Sequence, residues 1–406
     1  MPTAPTSSSI HYDVIILGGG AAGLMCALTA GQRGRRVLLL EASNKLGKKI
    51  LMSGGGRCNF TNLEVLAEHF VCANPHFVKS ALSQYSQWDF ISLVAQYEVA
   101  YHDKGQGQLF CDKSAKDILN ILTRECSKAG VEMLLSCSTE DVATKPGSKG
   151  FRVKSGAGDF SCQSLVVATG GLSIPTLGGA TGYGYQLARQ FDIEVSKTEA
   201  SLVPMTLTGK WLDLANSLSG VAVSVNVSVP GKGFTESMLF THRGLSGPAI
   251  LQLSNYWHLG ESICIDLLPG ESFLDDLLSL KETQPKATIL SALNTYLPKS
   301  VAKFLITLWW PEYTDTSLQE IKNTVIREIA NQVHQWKLNP SGTEGYRTAE
   351  VTRGGVDVDS ISSKSMQVKS LPGLFMVGEV LDVTGHLGGY NFQWAWSSGY
   401  VAGINA

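Results

Sequence analysis

The sequence predicts an α/β fold: a largely parallel sheet assembled from both ends of the chain, interrupted by an all-β insert that carries a helical piece. Three observations lead there. A buried strand, a glycine turn, a helix and a second buried strand follow one another between Tyr12 and Glu41. Apolar runs that end in glycines return downstream at 164–171 (SLVVATGG) and 374–379 (LFMVGE). Between these runs, residues from Val195 to Asp266 alternate apolar and polar, as in SGVAVSVNVSVPG, and those from Ser272 to Lys337 turn helical.

Each element has a local reason. YDVIIL at 12–17 is short, apolar and rich in β-branched residues, as suits a strand buried on both faces. LMCALTAGQRG has helical character and stops at Gly34, and RRVLLLE is a second buried strand closing on Glu41. Ala42–Asn62 reads as a polar loop dense in Lys and Gly, and 76–129 as mostly helical with a loop near Gly105–Gln108. From Val131 short strands alternate with turn signals (KPGSKG, SGAGD), which predicts a small meander. The alternating stretch fits a β-barrel or sandwich, and the segments SFLDDLLSL, ATILSALNTYL and SLQEIKNTVIREIANQVHQW fit helices. The expected boundaries are 1–194 for the first part of the nucleotide domain, 195–270 for the β-barrel insert, 271–340 for the helical insert, 341–356 for a return strand and 357–406 for the rest of the first domain.

A chain of 406 residues is longer than one core usually serves, at roughly 100–200 residues per domain. With 44% hydrophobic and 17% charged residues it has a globular profile. The net charge of −2 excludes a global pull towards nucleic acid or acidic membrane and leaves room only for a local basic patch. No apolar run approaches the ~18–20 residues of a membrane span. MPTAPTSSSI lacks the apolar centre of a secretory signal and reads as a frayed tail. The eight cysteines, from Cys26 to Cys264, show no CxxC and no metal-ligand spacing, which predicts reduced thiols, no metal and a cytoplasmic protein.

Gly18, Gly20 and Gly23 match GxGxxG. The first glycine allows the tight turn, the second lets backbone approach a pyrophosphate, and the third lets the helix pack on the strand. The helix start, with Ala21 and Ala22, offers amide hydrogens and a positive dipole end to phosphate. Glu41, followed by Ala42, ends the second strand where a carboxylate can accept from a ribose diol, and it disfavours a 2′-phosphate. A glycine turn without ligand is the bland alternative. FAD is favoured over NAD because Ala168-Thr169-Gly170-Gly171 and the VGE at 377–379 supply further glycine strand ends, while no second full GxGxxG unit serves a nicotinamide.

Ser53-Gly54-Gly55-Gly56-Arg57-Cys58-Asn59, Thr61-Asn62, Thr241 to Pro248 (THRGLSGP), Thr352 to Val356 (TRGGV), Gly378 to Gly385 (GEVLDVTG) and Gly388 to Gln393 (GGYNFQ) together resemble the HI0933-like family of flavoproteins, also called BaiN-type or aminoacetone-oxidase-like. The blocks span nearly the whole chain after the tail. The resemblance implies a Rossmann-type FAD domain of the glutathione-reductase kind with an inserted β-barrel and helical segment. It implies FAD held on Gly18, Gly20, Gly23 and Glu41, on Gly54, Gly55, Gly56, Arg57, Cys58 and Asn59, on Ala168, Thr169 and Gly170, and on Gly378, Glu379, Gly388, Gly389, Tyr390 and Asn391. Ala21, Ala22, Ala42 and Lys48 complete that expected set. Some members resemble reductases of enone carbons in bile-acid intermediates, others aminoacetone oxidases, others makers of dihydrouridine in large-subunit ribosomal RNA. His386 stands where the family commonly has a bulky aromatic, Cys111 where it has proline, and Tyr183 where related flavoproteins have an acid.

The same residues have physical readings of their own. Arg57 can pair with phosphate or stabilise charge on a reduced flavin, or it caps a helix or pairs with a surface acid. Cys58 is a candidate proton donor or covalent partner for an activated alkene, or a small buried hydrophobe. Glu379 can accept from ribityl hydroxyls, and Asn391 with the amides of Gly388–Asn391 can meet the pyrimidine edge of the flavin. His386 is an acid/base candidate or a packing residue. His242 and Arg243 are aimed at substrate or are a turn histidine and a solvated arginine. Trp394 and Trp396 read as core, and Lys45, Lys48 and Lys49 as a solvated basic run.

The leading expectation is an FAD-dependent reductase of a conjugated carbon–carbon double bond, with NAD(P)H as reductant and the uridine of large-subunit rRNA as the favoured substrate. Two alternatives stand beside it: a small-molecule ene-reductase or amine oxidase with steroid or aminoacetone-type substrates, and a flavin redox sensor without turnover.

Overall fold

In the computed structural model, residues 10–145, 149–177 and 181–406 are described. All of the expected tail except Ile10, and the middle of the KPGSKG turn, lie outside them. The chain divides into two compact units, one of residues 1–200 with 350–406 and the other of 201–349.

The first unit is built on a seven-stranded sheet among the described residues. Its parallel part runs Glu132–Leu134, Val37–Leu40, Ile10–Leu17, then the second half of Gly158–Val167, then Leu374–Met376. The strand Gly158–Val167 joins the parallel part of this sheet to its antiparallel part. Its first half pairs antiparallel with Phe151–Ser155, and Thr139–Thr144 follows as the outer strand of the meander. Residues 14–17 and 37–40 are wholly buried, as a strand covered by helices on both faces requires.

Register places the motifs. Leu17 pairs with Leu40 and with Val167, and Val167 pairs with Met376. The next residues are therefore Glu41, Gly18, Ala168 and Val377, side by side along the carboxyl edge of the sheet, where open α/β sheets bind their ligands. Residues more than 200 positions apart become neighbours through strand pairing alone.

Two helices cross beside this edge. Ala21–Gln32 follows the glycine turn, and Tyr390–Asn405 ends the chain. They touch through small residues: a Cβ on Gly399 would lie 2.4 Å from the Ala22 carbonyl oxygen. Trp394 and Trp396 are buried, and their indole N–H groups donate to the carbonyls of Gly378 (3.1 Å) and Phe60 (2.8 Å). The 76–129 stretch is less helical than its composition predicts. Helices Phe77–Gln84, Gln87–Gln96 and Lys116–Lys128 flank a hairpin, Tyr101–Asp103 with Gln108–Cys111, and Asn59–Asn62 joins it as a third strand. Strands of three or four residues are too brief to display a period of two, and Gly105 and Gly107, both at positive φ, make the turn between them.

The second unit holds a seven-stranded antiparallel sheet with its own apolar core. Its path begins at Trp336–Leu338 and ends at Gly342–Thr343, which are three residues apart in sequence. Three residues span roughly 10–14 Å, so the sheet curls until its two edges nearly meet, as in a barrel. Pro340 sits in the link and has no N–H to give to a ladder. Helices Phe273–Thr283, Ile289–Leu293, Lys299–Trp309 and Asn323–His334 bury Leu277, Leu293, Leu305 and Ile329 in the same core. Among the described residues, no helix is long and apolar enough to cross a membrane.

Candidate cofactor site

The glycine turn sorts its three glycines by purpose. Gly18 has φ of 110°, and a Cβ there would lie 2.4 Å from the Ala168 carbonyl oxygen. A Cβ on Gly23 would lie 1.9 Å from the Gly18 carbonyl oxygen, so this residue lets the helix sit on the turn. Gly20 is different. Its φ of −82° suits any residue, and a Cβ would meet nothing within 4 Å. Neither strain nor packing calls for glycine there. The open space lies at the N-terminus of Ala21–Gln32, which has no side-chain cap. Uncapped amides facing open space fit a pyrophosphate.

Glu41 stands beside that turn. One carboxylate oxygen accepts from Gly19 N (2.7 Å) and the other from Ser43 N (2.7 Å). Each keeps a lone pair for a ribose hydroxyl, so the turn and the acid together fit the adenosine diphosphate half of a dinucleotide. Ala42, the next residue, is exposed.

Lys48–Gly56 opens as a helix and then breaks. Ser53 is extended, and Gly54, Gly55 and Gly56 have φ of 56°, 65° and 85°. Gly54 lies against the Phe110 ring, while Gly55 faces open space. The Lys48 ammonium donates to Leu177 O (2.7 Å). The Lys49 ammonium donates to Glu379 (2.6 Å) and to the Ser173 hydroxyl (2.5 Å). The other Glu379 oxygen accepts from Ser173 (3.1 Å) and from Thr352 N (2.9 Å). None of Lys49, Ser173 and Thr352 was expected from sequence to touch Glu379, and Thr352 was named only as the start of the TRGGV block. Lys49 was visible only as part of a basic run, and nothing local in the text around Ser173 points to Glu379.

Arg57 is exposed, and among the described residues its guanidinium has no hydrogen-bond or ion-pair partner. Cys58 is fully buried at φ of 52°, and burial pushes its thiol up to about 12, against a smaller lowering by Ser53. It packs as a small hydrophobe and is poorly placed to release a proton. Asn59 opens the strand of the three-stranded sheet; with its amide oxygen turned towards Gly389 N it accepts at 3.2 Å.

The last block is fastened to that strand. Asn62 donates to Gly388 O (3.1 Å), and a Cβ on Gly389 would lie 2.5 Å from the Thr61 carbonyl. The Asn391 side chain is spent on the loop before it, accepting from Gly385 N (2.8 Å) and donating to Gly385 O (2.9 Å). Its amide therefore shapes the loop that carries His386. The His386 backbone N donates to His69 O (2.8 Å), and its ring lies beside the His69–Tyr390 pair, with centroids 5.8 and 6.2 Å away. Burial raises the Tyr390 hydroxyl to about 12. Gly378 lies beside Ala22, and Ala168, Thr169 and Gly170 follow the strand that neighbours Gly18. The structure thus gathers into the first unit all the expected cofactor residues, along with His386. His242 and Arg243 belong to the second unit, exposed on a turn between Lys232–Thr241 and Gly244–Ser246, with Arg243 3.8 Å from Glu344.

The family model described as the HI0933-like protein Rossmann domain matches residues 12–405. The chain belongs to the HI0933-like family. Two curated proteins named ribosomal RNA dihydrouridine synthase are similar to it over almost their whole length. The one from Haemophilus influenzae (strain ATCC 51907 / DSM 11121 / KW20 / Rd) is 47% identical, covering 98% of this chain and 99% of that protein. The one from Escherichia coli (strain K12) is also 47% identical, over 96% and 97%. Among solved structures, a 3-ketosteroid-Δ4-(5α)-dehydrogenase from Rhodococcus jostii RHA1 shares the fold at 14% identity, with a TM-score of 0.51 and 99% of both chains covered. This member of the HI0933-like family is an FAD-dependent oxidoreductase on a Rossmann-type domain. FAD, when bound, supplies hydride chemistry; the residues above are the ones that would hold and orient it.

Proposed function

We propose that the protein reduces the C5–C6 double bond of a uridine in large-subunit ribosomal RNA, in the cytoplasm, with NAD(P)H as the source of electrons. What supports this reading most is the 47% identity, over nearly the full length of both proteins, to two ribosomal RNA dihydrouridine synthases. The chemistry asks for a hydride at C6, a proton at C5 and a donor to the C4 carbonyl that activates the alkene. In this reading the carboxyl edge of the sheet binds the cofactor through Gly18–Gly23, Glu41, the Ser53–Asn59 loop and Gly378–Asn391. His386 is the proposed proton donor, with its loop fixed by Asn391 and its ring beside the His69–Tyr390 pair. His242 and Arg243, on one turn of the second unit, are the other proposed catalytic residues. Cys58 is assigned to packing, because a buried thiol at about 12 holds its proton too tightly to give it away at neutral pH.

The test is mass mapping of large-subunit rRNA nucleosides with and without the gene, complemented by His386→Ala. Dihydrouridine is expected to disappear with the gene and to return with the wild-type copy but not with His386→Ala. Unchanged rRNA in the deletion strain rules the reading out. Peroxide release with an amine substrate would replace it with an oxidase.

A further inference from the structure

At the border of the Ser53–Asn59 loop assigned to FAD, a cleft of about 210 Å³ opens on the three-stranded sheet of the first unit; Gly54 and Arg57 of that loop line it together with His102, Lys104 and Phe110, which lie outside the cofactor set. That volume is below the roughly 300–1,000 Å³ of a small-molecule pocket, and is suited to one charged group of a larger ligand.

The cleft is built by the strands. His102 pairs with Phe110 in register, so their side chains share a face and their rings stack 6.3 Å apart at 21°. The Lys104 ammonium lies over the same ring, 5.0 Å from its centre. The loop at Gly54 also packs against the Phe110 ring, and Cys111 N bonds Arg57 O (3.0 Å), which fixes the backbone from which Arg57 projects. Three nitrogen-bearing side chains therefore ring an apolar floor.

The nearby acids are occupied. Asp112 accepts from or pairs with His102 Nδ1 at 2.7 Å, and Asp103 accepts from Gly105 N at 2.7 Å within its own turn. Among the described residues, neither Arg57 nor Lys104 has a carboxylate partner. Arg57 and Lys104 are solvent-facing cations on a rigid sheet with no carboxylate partner among the described residues, the Asp112 carboxylate being engaged with His102, and a planar guanidinium is well matched to a phosphodiester. In a chain of net charge −2, RNA affinity has to come from such a local patch, because phosphate contacts supply most of it.

We propose that this cleft binds a backbone phosphate of the RNA strand next to the reduced uridine, through Arg57, Lys104 and His102. The proposal rests on the rRNA reading above and adds where the strand is gripped. It takes the phosphate from RNA, and a nucleotide reductant, which carries phosphates too, is the rival source.

The experiment uses the FAD-loaded enzyme and deproteinised large-subunit rRNA from a strain lacking the gene. Kd is measured across a salt series for wild type, Lys104→Glu and His102→Ala, with FAD content as a check on folding. Lys104→Glu is expected to weaken rRNA binding about tenfold and to lower the slope of log Kd against log salt by about one, and His102→Ala to weaken binding by a smaller factor. Equal affinity and equal slopes in all three proteins overturn the proposal. A raised KM for NAD(P)H with unchanged rRNA affinity overturns it in favour of the reductant. Dihydrouridine formation on the same rRNA is scored separately. If wild type forms none yet binds through Lys104, the rRNA-reductase reading falls and the phosphate site stands.

Discussion

The two glycine-rich turns of the first unit look alike in sequence and are made of different kinds of glycine. In Gly18–Gly23, two of the three motif glycines are explained by protein atoms: Gly18 by the Ala168 carbonyl and Gly23 by the Gly18 carbonyl. Only Gly20 faces empty space without needing an unusual φ. In Gly54–Gly56, all three residues adopt positive φ, and only Gly54 is also pressed against a side chain. The first turn is a packing device with one ligand-facing position. The second is a backbone reversal that turns the chain from a helix into the strand at Asn59. A motif regular expression reads both as glycine loops, while the cost of a methyl group separates them.

The largest effect expected is at Gly23. A Cβ placed 1.9 Å from the Gly18 oxygen forces helix and turn apart, so Gly23→Ala is expected to lower stability by about 3 kcal/mol or more. Urea unfolding of the FAD-free protein measures this directly. A midpoint equal to wild type would mean that helix and turn have slack, and the contrast between the glycines would collapse.

Gly20→Ala is expected to do the opposite. The FAD-free protein should unfold within about 1 kcal/mol of wild type, because the backbone is ordinary and the methyl meets nothing. FAD affinity, read by titrating the FAD-free protein, should fall at least about tenfold, since the methyl occupies the approach to the uncapped amides. Full affinity would place the pyrophosphate elsewhere and remove the reason for glycine at this position.

This contrast also marks what could be read from the text. The βαβ unit was legible because its signals are local and stacked: a buried strand, a turn, a helix and an acid within thirty residues. The blocks at 53–59, 168–170 and 378–391 were legible as motifs, but their adjacency depends on register such as Val167 with Met376, which no local pattern encodes. The hairpin at 101–111 was hidden inside a stretch that composition assigns to helix. The cleft on it was invisible for the same reason, since His102 and Lys104 become neighbours of Arg57 only once that hairpin forms. Lys49 shows the converse. A lysine in a basic run reads as solvated, and only the fold supplies Glu379, 330 residues away, at 2.6 Å.

The smallest effect expected at neutral pH, and the one that separates the turns by titration, is at Cys58. The second turn delivers this thiol into the core, where burial raises it from 9.0 to about 12. A raised acid in the folded state means that folding favours the protonated form. The thiol's contribution to stability is therefore complete below about pH 9 and is lost as pH climbs from there towards 12. Other buried thiols share the trend, so the informative quantity is the difference between wild type and Cys58→Ala. That difference should be flat from pH 6 to 9 and then move against wild type by up to about 1.4 kcal/mol per pH unit. Gly20→Ala, which changes no titrating group, should run parallel to wild type across the same range. If Cys58→Ala also runs parallel, the thiol titrates in the native protein as readily as in the unfolded one. It would then be reachable from solvent, and the second turn would present a reactive cysteine instead of burying one.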